Sequence, residues 1–448
     1  MFDKAFKLSR LAFLVCLTGC VSYAPVANNE QSYSKAAVTE DFDAFLNFVK
    51  RTHPDLSYSA DLSELDEMAD NVRRSFHDGM TMREAWMEMA RVNPSFHDAH
   101  VGLRRPVAAL EAYEKQGGAL FPAQIVFDGN GVMHLGPGVE GVAGAEILSI
   151  NGVSSDAIVR TLLPRMRGET EALRQLVLAR YFSQYFWIAY GGFENYAVRI
   201  SKNGRARTLI LNADANSEAQ EDETLFTYEK IDLATGYLNV TTFEIEHKER
   251  FEYFLETAFA QIQQDGVTRL IIDLRENGGG ARDLSDLLMA YLTDKPYSAI
   301  SGVKARVTPE NVERIPGAKI GDVISLPFKQ PVSPPEAYPL RFDGDVYALI
   351  GGITYSQAIV FAATLQDFGI APLAGEKTQG PANQTGQVQK HTLTNTTLEA
   401  LAPIYIFTRA SGDTSRQGVV PEIDIANDPF DPMGSVQLLL DSIAKSTD

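Results

Sequence analysis

The chain has 448 residues, 45% of them hydrophobic and 22% charged, enough for a large apolar core divided over two or three domains. Its 58 Asp and Glu outnumber 40 Lys and Arg, giving a formal charge of −18, which argues against nucleic acid or an anionic membrane face as a partner. Two cysteines cannot build a disulfide scaffold, so stability has to come from packing.

Residues 1–20 combine a short basic start (Lys4, Lys7, Arg10), an apolar stretch over 11–17 and the ending Leu17-Thr18-Gly19-Cys20. The apolar part is too short to span a bilayer and reads as a secretory signal with a small-residue cleavage site. The ending resembles a bacterial lipoprotein signal. That implies a signal over 1–19, lipidation of Cys20, and a membrane anchor on the periplasmic side of a bacterial envelope. Val21 stands where an aspartate would mark inner-membrane retention, which favours the outer membrane. The other reading is an ordinary cleaved signal, with Cys20 an incidental thiol. From Cys20 onward 37 Lys and Arg face 57 Asp and Glu, a charge of 37 − 57 = −20, and Cys20 is the only cysteine left. Residues 20–37, rich in Ser, Asn and Ala, read as a flexible tether.

Residues 38–106 are patterned as a helical region. Apolar residues recur at helical spacing over 43–49, and a capping box, Thr81-Met-Arg-Glu84, opens a second helix that Asn93-Pro94 is expected to close. Residues 107–212 form an intermediate domain. It has short strands, glycine turns such as Gly144-Ala-Glu-Ile-Leu-Ser-Ile-Asn-Gly152, helical segments as far as Tyr190, and a hairpin around Asn203-Gly204. The acidic stretch 213–224 reads as a linker.

From 225 to 448 strands and helices alternate: strand 236–240, helix 249–264, a largely apolar strand 269–274, helix 282–292, strand 345–350, a helix entered at Ser356, and strand 371–374. Such alternation predicts an α/β core with a mostly parallel sheet and right-handed crossovers. Functional loops then lie beyond the carboxyl ends of the strands, where both Arg275-Glu-Asn-Gly-Gly-Gly280 and Ser356 fall.

Ser356 at a strand-to-helix corner suits a nucleophile, because the first N–H groups of the helix are unpaired and can hold an oxyanion. Its bland reading, shared with Thr354, is a helix N-cap. The triple glycine has three readings. A phosphate cradle lacks the Gly-x-Gly-x-x-Gly spacing, a plain tight turn is the ordinary use, and an oxyanion hole requires its loop to adjoin that of Ser356.

At this point the strings Leu270-Ile-Ile-Asp-Leu-Arg-Glu-Asn-Gly-Gly-Gly280, Ser356-Gln-Ala-Ile-Val-Phe-Ala-Ala-Thr-Leu-Gln-Asp-Phe-Gly369, Gly375-Glu-Lys-Thr-Gln-Gly380 and Gly418-Val-Val-Pro-Glu-Ile423 carry a resemblance. Together they resemble the catalytic core of the tail-specific (carboxyl-terminal-processing) and tricorn-type serine peptidases. The likeness runs from about residue 39 to 425. Gly144–Gly152 is similar to the end of the small PDZ-like domain such proteins carry. The resemblance implies a crotonase-like ββα spiral for the core, with Ser356 as nucleophile. The lysine base of the tail-specific branch is replaced by Pro381, and Lys377 is displaced from that position. In the tricorn-like branch the base is a histidine, and His100 in His97-Asp98-Ala99-His100 matches it.

Imidazole, with an ordinary pKa of about 6.5, can take a serine proton near neutrality. His100 is alternatively a structural histidine, or a metal ligand with His97, although no third ligand at recognisable spacing supports zinc. His53 echoes a helix ending of the same branch and reads as structural or substrate-lining. The tetrad's serine before the histidine is Ala99 here, and its glutamate is Ser415. Glu376 and Asp413 are the nearby carboxylates that could orient His100 instead. For the oxyanion the resemblance implies N–H groups of Gly279 or Gly280 and of Gln357.

The expected activity is therefore an exported, lipid-anchored serine peptidase acting on peptides or protein tails through an acyl-enzyme, without metal or cofactor. The alternative is a catalytically silent relative that binds peptides or apolar ligands in the same cleft. An α/β oxidoreductase is disfavoured because no dinucleotide fingerprint follows an early strand.

Overall fold

In a computed structural model the described residues are 31–213, 225–328 and 331–447. The signal, Cys20 and residues 214–224 of the expected linker lie outside them. The tether expected over 20–37 gives way to folded chain early. Ser32–Tyr33 pairs as a strand with Met80–Thr81, and Ser34 caps the helix Lys35–Thr52 by accepting the Ala37 N–H at 3.2 Å. A serine in this position does the work of a cap, not of a spacer.

Val38, Phe42, Phe45, Leu46 and Val49 form the buried stripe of that helix. The capping box at Thr81 opens the helix Met82–Met89, with both reciprocal bonds made. Pro94 does not end this helix as predicted. The chain tightens after Met89 into a 3-10 stretch, Ala90–Phe96, that contains Pro94, and His97 then turns it with a left-handed φ of 45°. Asn93 is buried there and pins the short strand Gly102–Leu103, accepting the Leu103 N–H at 2.8 Å and donating to the Leu103 carbonyl at 3.1 Å.

The intermediate region is an antiparallel sheet ordered Ile125–Phe127, Met133–Leu135, Glu146–Ile150, Asn195–Lys202, Arg205–Asn212. Asn203 (φ 52°) and Gly204 (φ 73°) make the two-residue hairpin turn that their sequence predicts. This region and the N-terminal helices share one hydrophobic cluster, in which Phe42, Trp86, Phe96, Phe121, Phe186 and Tyr196 are all buried.

The second half holds a six-stranded sheet ordered Phe226–Lys230, Thr235–Val240, Arg269–Asp273, Asp345–Ile350, Leu373–Gly375, Ile423–Asp424. Only its first pair is antiparallel. Leu270 and Ile272 face the cluster built by the helices Lys248–Asp265, Arg282–Ala290 and Gln357–Asp367. Ile271 points the other way, against Val436, Leu439 and Ile443 of the C-terminal helix Pro432–Thr447. Burial on both faces is why this strand reads as a continuous apolar run.

A second sheet, which no sequence pattern predicts, is ordered Val323–Pro327, Ile300–Arg306, Glu399–Arg409, Thr385–Thr392. Gly102–Leu103 joins it by pairing with Leu401 and Ala400. That small pairing hooks the His100 loop onto the half of the molecule that carries Ser356.

Candidate active site

Strand Arg269–Asp273 runs parallel to Asp345–Ile350 with Asp273 opposite Leu349, so the two loops that follow are neighbours. Buried Asn277 fixes the first loop, donating to the Val240 carbonyl at 3.0 Å, and its own carbonyl accepts the Tyr355 N–H of the second loop at 3.0 Å. Thr354 is tied across as well, donating to the Leu274 carbonyl at 2.7 Å.

Ser356 has φ 54° and ψ −123°, and its hydroxyl makes no capping bond. The N-cap reading therefore does not describe it, and a non-glycine residue in this region stores of the order of 1–3 kcal/mol of strain. Gly279 is what permits the turn. A Cβ there would lie 2.6 Å from the Ser356 Cβ and 2.8 Å from the Gln357 nitrogen, and its φ is 100°.

The Ser356 hydroxyl lies 3.1 Å from His100 Nε2. His100 Nδ1 lies 3.2 Å from Thr385 Oγ1, which in turn is 2.8 Å from Asp98 Oδ2. Asp98, only 2% exposed, also accepts the His100 backbone N–H at 2.8 Å. Burial pulls the imidazole below its ordinary pKa, with the Asp98 carboxylate opposing, so His100 is neutral at neutral pH. With Nε2 accepting the serine proton, Nδ1–H donates to Thr385, whose own hydroxyl proton goes to Asp98. This arrangement can abstract a proton and hold the resulting imidazolium.

Gly279 N–H donates to Asn277 Oδ1 at 2.9 Å and is not free for an oxyanion. Among the described residues the N–H groups of Gly280 and Gln357 carry no such bond, while Ala358 N–H is taken by the Tyr355 carbonyl at 3.0 Å. Gln384 donates to the Ser356 carbonyl at 2.8 Å, steadying the corner.

The proposed orienting groups lie elsewhere. Glu376 accepts the Asn427 N–H at 2.9 Å. Asp413 and Ser415 bond to each other at 2.7 Å on an exposed loop. Glu376 is engaged with the Asn427 loop, and Asp413 and Ser415 with each other, whereas His100 bonds to Thr385. Lys377 is exposed and donates to Gln417 at 3.1 Å, while Pro381 is buried and paired with Gly418. His97 Nδ1 is 3.5 Å from the Glu169 carbonyl. No group of three or more metal-binding side chains occurs among the described residues. His53 is buried, with Nδ1 accepting the Asp55 N–H at 3.1 Å. Sequence reasoning missed Asp98, Thr385 and Gln384 as site residues. Asp98 was in view beside His100, whereas Thr385 and Gln384 sit in the unpredicted sheet and had no local signal.

Residues 234–425 match the model of Peptidase family S41. No curated protein sequence matches the chain. The fold is similar to that of mature CPAF complexed with lactacystin, at 15% identity and a TM-score of 0.67, covering 92% of this chain and 98% of that one. It is similar to mature CPAF at 15% identity and a TM-score of 0.65, covering 90% and 96%. The photosystem II D1 C-terminal processing protease aligns at 16% identity and a TM-score of 0.49, covering 88% and 94%. The matched stretch, residues 234–425, is the α/β half of the chain that carries Ser356 and Thr385.

Proposed function

We propose that the chain cleaves peptides or protein tails through an acyl-enzyme on Ser356, with His100 as general base and Thr385 and Asp98 holding the imidazole. The 3.1 Å contact between His100 Nε2 and Ser356 Oγ carries this reading. His100 takes the hydroxyl proton as Oγ bonds to the scissile carbonyl carbon. The oxyanion meets the N–H groups of Gly280 and Gln357. Collapse breaks the C–N bond, and the leaving amine receives the proton from His100. Water then repeats the sequence on the acyl-enzyme, releasing the acid and restoring Ser356.

Pro381, Ala99 and Ser415 depart from the pattern of the peptidases the chain resembles, which favours a silent relative. The Thr385–Asp98 pair supports the active reading instead, its hydroxyl 3.2 Å from His100 Nδ1 and 2.8 Å from the carboxylate. Fluorophosphonate labelling tests the mechanism: Ser356 should be the modified residue, and His100→Ala should slow labelling by about 100-fold or more. No adduct, or one formed equally fast in His100→Ala, would sink it. Export and anchoring through Cys20 belong to the same proposal and rest on Leu17-Thr18-Gly19-Cys20. Palmitate incorporation into the cell-expressed protein, abolished by Cys20→Ser, is the corresponding measurement.

A further inference from the structure

A segment over 167–180 leaves the N-terminal core and touches both sides of the site. Arg167 donates to the Ala99 carbonyl at 2.5 Å, Thr170 to Gln379 at 2.9 Å, and Arg180 to the Glu276 carbonyl at 2.9 Å. At its centre Glu169 meets Tyr355, the residue before the nucleophile, whose hydroxyl donates to Oε1 at 2.8 Å. The Tyr355 ring packs on the His100 imidazole, with centroids 5.0 Å apart and a 39° tilt. Glu169 Oε2 is buried and has no hydrogen-bond partner among the described residues.

A carboxylate left in that state would be costly. Burial, reinforced by the Asp98 charge, pushes the Glu169 carboxyl up to about 8. Arg416 acts in the opposite sense, and Tyr58 and Arg174 also face it. Arg416 bonds to the His97 carbonyl, and its Nε is buried with no hydrogen-bond partner among the described residues.

We propose that Glu169 is a positioning residue for the serine–histidine pair: as a neutral acid it accepts the Tyr355 hydroxyl and holds that ring against His100, and its ionisation turns Arg416 toward Oε2 and lowers activity. The inference rests on the proposed pairing of Ser356 with His100. An aromatic face beside the imidazole favours the imidazolium formed during attack. Ionised Glu169 adds a second negative charge near Asp98 and demands a donor for Oε2. Turning the unpaired Arg416 Nε toward Oε2 moves the guanidinium that bonds the His97 carbonyl, which disturbs the His100 loop.

The test measures the rate of Ser356 labelling by a fluorophosphonate against pH in wild type, Glu169→Gln and Glu169→Ala. Wild type should lose reactivity above about pH 8. Glu169→Gln, which stays neutral, should label within about threefold of wild type at pH 7 and extend the alkaline limb upward by about one pH unit or more. Glu169→Ala should label about tenfold more slowly throughout. An unchanged alkaline limb in Glu169→Gln, or wild-type rates in Glu169→Ala, overturns the proposal.

Urea unfolding provides a readout independent of chemistry. The folded chain retains a proton on Glu169 that the unfolded chain releases above about pH 4.3, so wild-type stability falls between there and pH 8. Glu169→Gln should gain on wild type from pH 5 to pH 8, and an equal difference at both overturns the neutral acid. Wild type that is never labelled sinks the Ser356–His100 reading and this role with it. Labelled wild type with an unmoved Glu169→Gln profile sinks this role alone.

Discussion

Thr385 stands between His100 and Asp98, its hydroxyl 3.2 Å from the imidazole Nδ1 and 2.8 Å from the carboxylate. A hydroxyl can accept from one neighbour while donating to the other, so it passes orientation from a buried charge to a ring that the charge itself does not bond. Asp98 Oδ1 and His100 Nδ1 are 3.8 Å apart, beyond a hydrogen bond. We predict that Thr385→Val lowers kcat by about 100-fold with KM nearly unchanged, and that Thr385→Ser restores it to within a few-fold. Steady-state kinetics on one peptide substrate decide it, and equal kcat in Thr385→Val and wild type removes the relay.

The acid limb of activity follows from the same burial. His100 is pulled below its ordinary pKa of 6.5, so its folded form binds a proton less readily than its unfolded form. Stability is therefore present above about pH 6.5 and is lost as pH falls toward the folded value. The rate constant kcat/KM should fall along with it, since only neutral imidazole accepts the serine proton. Asp98→Asn removes the opposing charge and should move the limb to lower pH. A limb above pH 6.5 in wild type contradicts this account.

Gly279 contributes room. Its N–H is already used by Asn277, yet a side chain there would collide with Ser356 and Gln357 and would be strained at φ 100°. Gly279→Ala is predicted to abolish Ser356 labelling while leaving the distant N-terminal core folded, as tryptophan fluorescence of Trp86 and Trp187 should report. Labelling at the wild-type rate would show that the corner can relax.

Asp41 supports the site from the back of the molecule. It is buried in the first helix and accepts bonds from the Thr396 N–H at 2.6 Å, the Thr396 hydroxyl at 2.7 Å and the Asn395 N–H at 3.0 Å. These fasten the turn between the two strands that carry Thr385 and pair with Gly102–Leu103. Asp41→Ala strands those donors and should cost about 2–4 kcal/mol of unfolding free energy, measurable by denaturant titration. A loss within about 0.5 kcal/mol, the usual scatter of surface substitutions, would contradict it.

The local patterns were legible without coordinates. The strand 345–350 and the capping box at Thr81 appear where the spacing places them, since periodicity and caps act over a few residues. The alternation of strands and helices likewise implied a parallel sheet, and with it the neighbouring loops of Gly280 and Ser356. Pro94 was misread because a 3-10 continuation differs from a helix stop only in winding, which apolar spacing does not encode.

By itself the sequence determined the strand-to-helix corner at Ser356, the glycine loop and the position of His100, all carried by contiguous strings. Only tertiary structure decided which side chains bond to that histidine and which N–H groups stay open. Thr385 and His100 are 285 residues apart, on a sheet edge and a loop brought together by the pairing of Gly102–Leu103 with Glu399–Arg409. Glu376, Asp413 and Ser415 looked equally suitable by type, but Glu376 bonds to Asn427 and the other two to each other. A hydrogen bond is selected by distance and direction in the folded chain, and a one-dimensional pattern carries neither.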